Sequence, residues 1–291
     1  MTSEASTIKG NDFFFNFIEV PIENISESGD LIRKLKTGEL HGFVLRNLFS
    51  SNEIAEILAA IAKPIEENAM ITPYGKMYPV PFATISNAEE KLDNYYKSLD
   101  HIYELTDRVP IVKLMRDRLA YCFKAVGKNY KVSVPINKIK NRPVYEGTFR
   151  IFFKDKGGLF VHCGNLFQQQ TEYYYSLLAN DVDLNDQLSY FLNLQNTEVG
   201  GELTIYNMTW KDVIGKATPT ENESVIDAKG NTIYLKDVRQ FTVKPLPGDI
   251  LVFSGGPIWH RVENIKGDTP RITFGGFLNF SKDEKELFYW S

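Results

Sequence analysis

The stretch Pro247-Gly-Asp-Ile-Leu-Val-Phe253 decides how the chain folds, because a tight turn leads directly into four consecutive apolar residues. Short apolar runs behind Gly or Pro are typical of buried β-strands. Similar runs, rich in β-branched and aromatic residues, follow one another from about Tyr130 onward. They predict further strands at residues 148–153, 159–161, 187–194, 203–206 and 271–277. The predicted turns between them include Lys156-Gly157-Gly158, Gly200-Gly201 and Lys229-Gly230-Asn231.

The part of the chain before Tyr130 has the period of amphipathic helices. Capping-box patterns, in which a Ser is followed three residues later by a Glu, occur at Ser50 with Glu53 and at Ser86 with Glu89. A third helix is predicted to begin at Pro110 and to stop at Gly127. The sequence therefore predicts one α+β domain over residues 1–291. Residues 1–129 are mainly helical support, and residues 130–291 form a double-stranded β-helix, that is, a jelly-roll or cupin-like core.

Composition limits the functions that the chain can have. With 43% hydrophobic residues among 291, it can bury a large core. The 33 basic and 37 acidic side chains give a net charge of -4 without a basic run, which argues against nucleic acid as a partner. A polar start, the lack of a membrane-spanning apolar stretch and only two cysteines predict a cytoplasmic protein. Residues 216–229 are polar and predict a surface insertion.

Two of the four histidines are candidates for metal ligands. His162 ends the run Gly158-Leu-Phe-Val-His162, and His260 follows the strand of the opening stretch after the turn Ser254-Gly-Gly-Pro257. Both are predicted to lie where strands open into loops. A single histidine near a strand end is more often a hydrogen-bonded structural residue than a ligand, but a pair favours a metal site. His41 and His101 have no partner at ligand spacing and are predicted to be structural.

Arg271 and Thr273 lie on the same face of a predicted strand. A guanidinium offers paired donors in one plane, and a hydroxyl adds a third, so the two side chains suit the distal carboxylate of a dicarboxylate. The alternative is a surface salt bridge for Arg271. The apolar neighbours Ile272, Phe274 and Phe277 favour a buried position instead.

These residues resemble the iron- and 2-oxoglutarate-dependent oxygenases, in which the first histidine normally begins His-x-Asp or His-x-Glu. This chain has His162-Cys163-Gly164, and glycine has no side chain that could bind a metal. A glycine or alanine at this position is a pattern of the halogenases within that family. From about residue 145 to 291 the chain resembles the freestanding indole-alkaloid halogenases. The motifs that carry this resemblance are His162-Cys-Gly-Asn165, Asp186-Gln-Leu-Ser-Tyr-Phe191, Gly200-Gly-Glu-Leu203, Tyr206-Asn207 with Trp210, Gly248-Asp-Ile-Leu251, Arg271-Ile-Thr-Phe-Gly-Gly-Phe277 and Tyr289-Trp290-Ser291.

The resemblance implies a complete set of cofactors. Fe(II) is bound by His162 and His260, 2-oxoglutarate is anchored by Arg271 with Thr273, and chloride or bromide takes the place that Gly164 leaves vacant. O2 is the cosubstrate. The implied reaction is chlorination of an unactivated aliphatic carbon of a freestanding small molecule, such as an alkaloid, with no carrier protein and no membrane involved.

Two further residues have open roles. Alternation within residues 187–194 places Ser189 on a polar face, which either lines the site as a group near the halide or forms a solvent-facing edge. Arg150 either lines the cavity, where it pairs with halide or cosubstrate, or ties down a loop. A similar Thr-x-Arg stretch precedes the first ligand in the alkaloid halogenases, which favours the cavity. Cys163 is predicted to face away from the metal, because adjacent side chains of an extended segment alternate.

Other functions fit parts of the same pattern. A hydroxylase or oxidase of this fold would bind water where the halide stands. A jelly roll that binds a ligand without turnover has no need to keep metal ligands and cosubstrate anchors together. A zinc enzyme is a third alternative, but two histidines without a thiolate or carboxylate make a poor zinc site.

Overall fold

The computed structural model describes residues 6–7, 15–85, 89–154, 158–170, 172–178, 181–213 and 223–291. Its α-helices are α1 (Leu31–Lys36), α2 (Ser51–Asn68), α3 (Glu89–Arg108), α4 (Pro110–Val126), α5 (Gly164–Gln170) and α6 (Glu172–Leu178). Its strands are β1 (Ser6–Thr7), β2 (Phe17–Pro21), β3 (Gly42–Arg46), β4 (Met70–Thr72), β5 (Gly75–Tyr78), β6 (Lys131–Ser133), β7 (Ile136–Asn137), β8 (Arg142–Pro143), β9 (Thr148–Phe152), β10 (Leu188–Gln195), β11 (Leu203–Thr209), β12 (Ser224–Ile226), β13 (Thr232–Tyr234), β14 (Gln240–Val243), β15 (Ile250–Phe253), β16 (Ile258–Val262), β17 (Arg271–Phe280) and β18 (Glu286–Trp290). Among the described helices, none is long and apolar enough to cross a membrane.

The long helices form where the sequence predicts them. Ser50 caps α2 with a complete capping box, because its side chain accepts from the Glu53 amide while the Glu53 carboxylate accepts from the Ser50 amide. Pro110 occupies the first turn of α4, and Gly127 follows its end. In α3, Leu92, Tyr95, Tyr96 and Leu99 are buried as their spacing predicts. The second predicted capping box lies partly outside the described residues, since 86–88 are not among them.

Two sheets stack face to face in the middle of the molecule. The larger has the order β1-β2-β3-β15-β10-β17-β9-β5-β4, with β18 pairing β17 and β6, and the smaller has the order β14-β11-β16. Apolar side chains of both, among them Leu251, Phe253, Leu203 and Ile205, fill the space between the sheets. The opposite face of the larger sheet packs on the helices. A helix-supported sandwich of this kind is the predicted architecture.

Alternation along β10 sends its side chains to the two faces of the larger sheet. Leu188, Tyr190 and Leu192 belong to the core shared with the helices, whereas Phe191 belongs to the core between the sheets. The predicted alternation of residues 187–194 is therefore confirmed.

Several predicted boundaries are wrong. Strands β2 to β5 lie in the part predicted to be mainly helical, and β3 joins the larger sheet beside β15. Residues 159–161 form no strand, because only His162 bridges to β16. His260 lies in the middle of β16 and not where a strand opens into a loop. Of the predicted insertion 216–229, residues 216–222 lie outside the described part, and the rest contains β12, which pairs with β13.

Candidate metal centre and cavity

The two histidines predicted to bind metal lie side by side, one in a loop and the other in β16. Their backbones form an antiparallel bridge, in which the His162 amide donates to the His260 carbonyl at 2.9 Å and the His260 amide donates back at 2.8 Å. The ring centroids are 4.3 Å apart. Two residues far apart in sequence are thus held side by side by the main chain.

Each ring is oriented by a hydrogen bond to its own chain two residues upstream. His162 Nδ1 is 2.6 Å from the Phe160 carbonyl oxygen, and His260 Nδ1 is 2.8 Å from the Ile258 carbonyl oxygen. A carbonyl oxygen can only accept, so Nδ1 carries the proton in both rings. The lone pair of each neutral imidazole is therefore on Nε2, which is the nitrogen available to a metal.

Burial keeps both rings neutral. Desolvation lowers the pKa of His260 to about 4, against a weaker opposing effect of the Ile258 carbonyl. Desolvation also lowers the pKa of His162 well below its usual value, and the charges of His260 and Arg150 lower it further. Neutral imidazole is the form that binds metal ions, so the pair suits a cation at neutral pH.

Among the described residues, no third candidate ligand joins the two histidines. Within the described residues, no group of three or more His, Cys, Asp or Glu side chains could hold a metal ion. The chain continues from His162 through Cys163 to Gly164, which begins α5 and lines the cavity through its backbone. A Cβ at Gly164 would lie 2.9 Å from the Cα of Gly256 and 2.9 Å from Nε2 of Gln187. A side chain at this position therefore requires the neighbouring turn to shift.

Cys163 faces away from the histidines, as the alternation predicts. It is fully buried in a separate apolar cluster with Trp259 and Val161. Burial raises the pKa of its thiol to about 12, so the sulfur stays protonated and is a poor ligand. The other two histidines also lie in local structural contacts: His41 Nδ1 accepts from the Asn16 amide, and His101 Nδ1 is 3.1 Å from Asn68 Oδ1.

A cavity of about 380 Å³ opens beside the two histidines, which is the size of a small-molecule site. Its floor is the inner face of β9, β10 and β17, and β16 closes one side. The basic side chains that line it are His162, His260, Arg150 and Arg271. No Asp or Glu is among its described lining residues. The cavity is therefore suited to anions and to neutral molecules, and unsuited to cations other than a metal.

Arg271 enters this cavity without a protein counter-ion. Its side chain is 5% exposed, and its guanidinium lies 5.0 Å above the ring of Phe191. Within the described part of the chain it forms no ion pair and no hydrogen bond. Desolvation, together with the charge of Arg150, lowers its pKa to about 10 in spite of the more distant Glu202. A buried arginine in this situation is suited to bind an anionic group.

Thr273 and Arg150 lie beside each other at the centre of the floor. They are directly opposed in the pairing of β17 with β9, and Met77 of β5 is opposite Arg150 on the other side. Thr273 is 1% exposed and lies on the same face of β17 as Arg271. The structure thus brings together Arg150, Arg271 and Thr273 on the floor of the cavity.

Ser189 lines the cavity from β10, opposite Phe253 and Phe277. Its hydroxyl lies against Gly255, since a Cβ built on Gly255 would be 2.2 Å from Ser189 Oγ. The carbonyl of Gly255 in turn accepts the amide of Gly164 at 2.8 Å. Ser189 is therefore next to the turn on which Gly164 rests.

The sequence did not single out the opposite wall of the cavity. The β4–β5 hairpin contributes Tyr74 and Met77, and the segment after it contributes Pro81 and Ala83. Phe160 and Phe167 flank His162, with ring centroids 5.6 and 5.0 Å from that of the histidine. Ser291 also lines the cavity. These residues come from distant parts of the chain, and no local spacing in the sequence predicts that they line one cavity.

Comparisons with known proteins agree with this architecture. The family described as carrier-protein-independent halogenase WelO5 matches residues 14–291. Two structures of an N-substituted L-amino acid dioxygenase from Burkholderia ambifaria AMMD are similar. The one in complex with α-ketoglutarate has a TM-score of 0.52 at 16% identity and covers 89% of this chain and 90% of its own. The other has a TM-score of 0.50 at 15% identity, with the same coverage of 89% and 90%. No curated protein matches the sequence.

The predicted fold class is confirmed by this likeness, since the dioxygenase shares the helix-supported jelly roll over most of its length. The resemblance inferred from the motifs is confirmed by the family match, which extends beyond residues 145–291 into the helical part.

Proposed function

Since the chain belongs to the carrier-protein-independent halogenase family WelO5, we propose that it chlorinates an aliphatic carbon of a freestanding small molecule. It is an iron- and 2-oxoglutarate-dependent oxidoreductase, as the family membership predicts. The observation that carries the proposal is the pair of free Nε2 atoms on His162 and His260, next to Gly164 where a carboxylate ligand would otherwise stand. The donor set fits an open iron site with room for exogenous ligands.

The other proposed roles follow from the cavity walls. Arg271 and Thr273 bind the distal carboxylate of 2-oxoglutarate, because a buried guanidinium without a protein carboxylate requires an anion. Arg150 lies alongside the cosubstrate. The halide, chloride or bromide, occupies the position beside Gly164, and Ser189 acts as a polar group near it.

Bound iron with 2-oxoglutarate and O2 supplies the oxidation that removes hydrogen from the substrate carbon, with succinate and carbon dioxide as coproducts. The protein's own contribution is orientation. His162 and His260 keep their Nε2 atoms directed at the cavity through the carbonyls of Phe160 and Ile258. The aromatic rings of Phe160 and Phe167 shield that side from water.

The substrate is proposed to be neutral and largely apolar, such as an alkaloid in its uncharged form. The wall opposite the anion-binding residues is built from Tyr74, Met77, Pro81, Ala83 and Phe160. The described lining offers no Asp or Glu side chain to a cationic ammonium group, and Arg150 and Arg271 repel one.

The test is anaerobic reconstitution with Fe(II) and 2-oxoglutarate, followed by titration with chloride and bromide. We expect the charge-transfer absorbance of the iron-cosubstrate complex to change with halide in the wild type. The change should disappear in Gly164→Asp, because a carboxylate at 164 competes for the same position. Gly164→Ala is the matched control, since it adds the same Cβ against Gly256 and no ligand. Gly164→Ala should keep the halide response, because it leaves the coordination position beside residue 164 without a protein ligand.

Product analysis after O2 addition separates the alternatives. Chlorinated product from the wild type, and a shift towards hydroxylated product in Gly164→Asp, support the halogenase. Hydroxylated product from the wild type, without a halide response, would show a hydroxylase of the same fold. Failure of the wild type to bind 2-oxoglutarate in the presence of Fe(II) would show a jelly roll that binds another ligand.

A further inference from the structure

Ser291 lies at the junction of two walls of the cavity. Its hydroxyl is 2.9 Å from Thr148 Oγ1 and accepts a hydrogen bond from Arg150 Nη2 at 3.4 Å. We infer that Ser291 is a positioning residue, which holds the Arg150 guanidinium against the bound 2-oxoglutarate. The inference rests on the proposed function and gives a role to Ser291, which the sequence places in the motif Tyr289-Trp290-Ser291 without assigning it one.

The main chain of Ser291 is fixed independently of its side chain. Its amide donates to the Tyr145 carbonyl at 2.9 Å, and its carbonyl accepts from the Phe82 amide at 3.0 Å. The residue is 2% exposed. A substitution that removes only the hydroxyl therefore leaves both anchors in place, and its effect on Arg150 can be measured separately.

The direction of the hydrogen bonds follows from the chemistry of the donors. A guanidinium can only donate, so Ser291 Oγ accepts from Arg150. The single hydroxyl proton of Ser291 is then available for Thr148 Oγ1, which is 1% exposed. The order Arg150 to Ser291 to Thr148 uses each group once and fixes the rotation of the serine hydroxyl.

Arg150 is within electrostatic reach of both ends of the proposed cosubstrate. It faces Thr273 across the β9–β17 pair. It lines the same cavity as Arg271 and as His162. A dicarboxylate that runs from the metal to Arg271 therefore passes Arg150 on its way.

Arginine side chains are long and flexible, and they bind an anion more tightly when they are held in place before it arrives. Ser291 restrains the Arg150 guanidinium through the hydrogen bond that it accepts, and Thr148 in turn holds the Ser291 hydroxyl. The sequence gives no sign of this contact between Ser291 and Arg150. The two residues are brought together by the pairing of β17 with β9 and with β18.

The experiment is an anaerobic titration of the Fe(II)-loaded protein with 2-oxoglutarate, followed by charge-transfer absorbance, with and without chloride. Ser291→Ala should weaken 2-oxoglutarate binding by about 3- to 10-fold, as expected for one hydrogen bond. Thr148→Val removes the hydroxyl that accepts from Ser291, and it should weaken 2-oxoglutarate binding by a smaller factor. Ser281→Ala, at a buried serine in a turn outside the cavity, is the control and should leave the affinity unchanged.

A double-mutant cycle with Arg150→Gln decides whether the serine acts through the arginine. In the Arg150→Gln background, Ser291→Ala should have no further effect. An equal loss in both backgrounds, or an unchanged affinity in Ser291→Ala and Thr148→Val, would overturn the inference. So would weakening of chloride binding alone, because Arg150 would then hold the halide. If the wild type binds no 2-oxoglutarate, the proposed function fails and this inference fails with it.

Discussion

His162 and His260 are held by the same local hydrogen bond, which leaves Nε2 free to face the proposed metal site. In each, Nδ1 donates to the carbonyl two residues upstream in its own chain. Many metal-binding histidines are oriented by a carboxylate from elsewhere in the protein, which adds negative charge near the metal. Here the orienting groups are neutral carbonyls. The centre therefore keeps a higher positive charge, which favours the binding of an additional anion.

Removal of one imidazole should strongly weaken metal binding at the proposed site. His260→Gln leaves His162 as the single nitrogen ligand, and we expect the Fe(II) affinity to fall by more than roughly 10-fold, since even groups outside the ligand set cost that much. The measurement is metal content after dialysis against a defined Fe(II) concentration under anaerobic conditions. His101→Gln, at an exposed histidine on α3, is the control. Equal metal content in both variants would contradict the assignment.

Arg271 should dominate the affinity for 2-oxoglutarate. Arg271→Gln leaves a carboxylate without its counter-ion in a buried site, which costs roughly 2–5 kcal/mol. Arg271→Lys keeps the charge but loses the planar pair of donors, and we expect an intermediate affinity. Anaerobic titration with 2-oxoglutarate measures both. Unchanged affinity in Arg271→Gln would place the distal carboxylate elsewhere, with Arg150 as the next residue to test.

The residues of the proposed metal and anion sites, which the structure brings to one cavity, could be singled out from the sequence because their signals are local. Arg271 and Thr273 follow from alternation in one strand, and the histidines from their position around turns. The residues of the opposite wall could not be predicted in this way, because Tyr74 and Ser291 reach the cavity only through strand pairings between distant segments. Such pairings are set by the packing of the whole sheet and leave no mark on the neighbouring sequence.

At the scale of single elements, the capping box of α2 extends into a tertiary contact. Glu53 accepts from the Ser50 amide at 2.8 Å, and its other oxygen accepts from Arg118 Nη2 of α4 at 2.7 Å. The Arg118 bond, followed by the Ser50 bond, lowers the pKa of Glu53 to about 2. One carboxylate therefore both starts a helix and joins it to its neighbour.

The stabilisation by Glu53 should depend on pH. The carboxyl pKa is lower in the folded protein than in the unfolded chain, so its contribution is complete above the unfolded value of 4.5 and is lost as the pH falls towards about 2. We expect Glu53→Gln to destabilise the protein by about 1 kcal/mol at pH 7, and the difference to shrink in that range. Chemical unfolding at several pH values measures it. Glu56→Gln, exposed on the same helix, should show no such trend.

Elements marked by strong periodicity, a cap or a Pro-Gly turn were predicted well, and some of the other short apolar runs were not. Strand β15 was predicted at its observed bounds, since its turn precedes four buried residues. The run Gly42-Phe-Val-Leu-Arg46 was not recognised as β3, because it is surrounded by helices and its alternation is lost through burial on both faces. The predicted strand at 159–161 fails because the segment contacts β16 only at its ends, through the Val262 amide bonded to the Leu159 carbonyl and through the isolated bridge at His162, and forms no continuous ladder.

On the scale of the whole molecule, the helical layer is joined to the sandwich by a buried ion pair. Arg116 of α4 pairs with Glu146, just before β9, and its guanidinium lies 5.2 Å from the ring centroids of Tyr103 and of Tyr145. Burial raises the pKa of Glu146, although Arg116 opposes this effect. The carboxylate thus depends on its partner to remain charged in the interior.

Removing one partner should cost more than removing both. Arg116→Met leaves Glu146 buried and unpaired, and we expect the free energy of unfolding to fall by roughly 3–5 kcal/mol. The double variant Arg116→Met/Glu146→Leu replaces the pair by apolar groups and should recover most of this loss. Urea unfolding at pH 7 measures both variants. A double variant no more stable than Arg116→Met would mean that the pair stabilises the packing of α4 beyond its own charges.

The backbone bridge between His162 and His260 has a consequence for the lifetime of the metal complex. Because the amide of each histidine is bonded to the carbonyl of the other, the two backbone segments separate only when this bridge opens. We expect this local opening to be a route by which the proposed site releases its metal. The amide protons of these two residues would exchange with solvent through the same event, so their exchange rate and the dissociation rate of iron should rise and fall together across variants of β16.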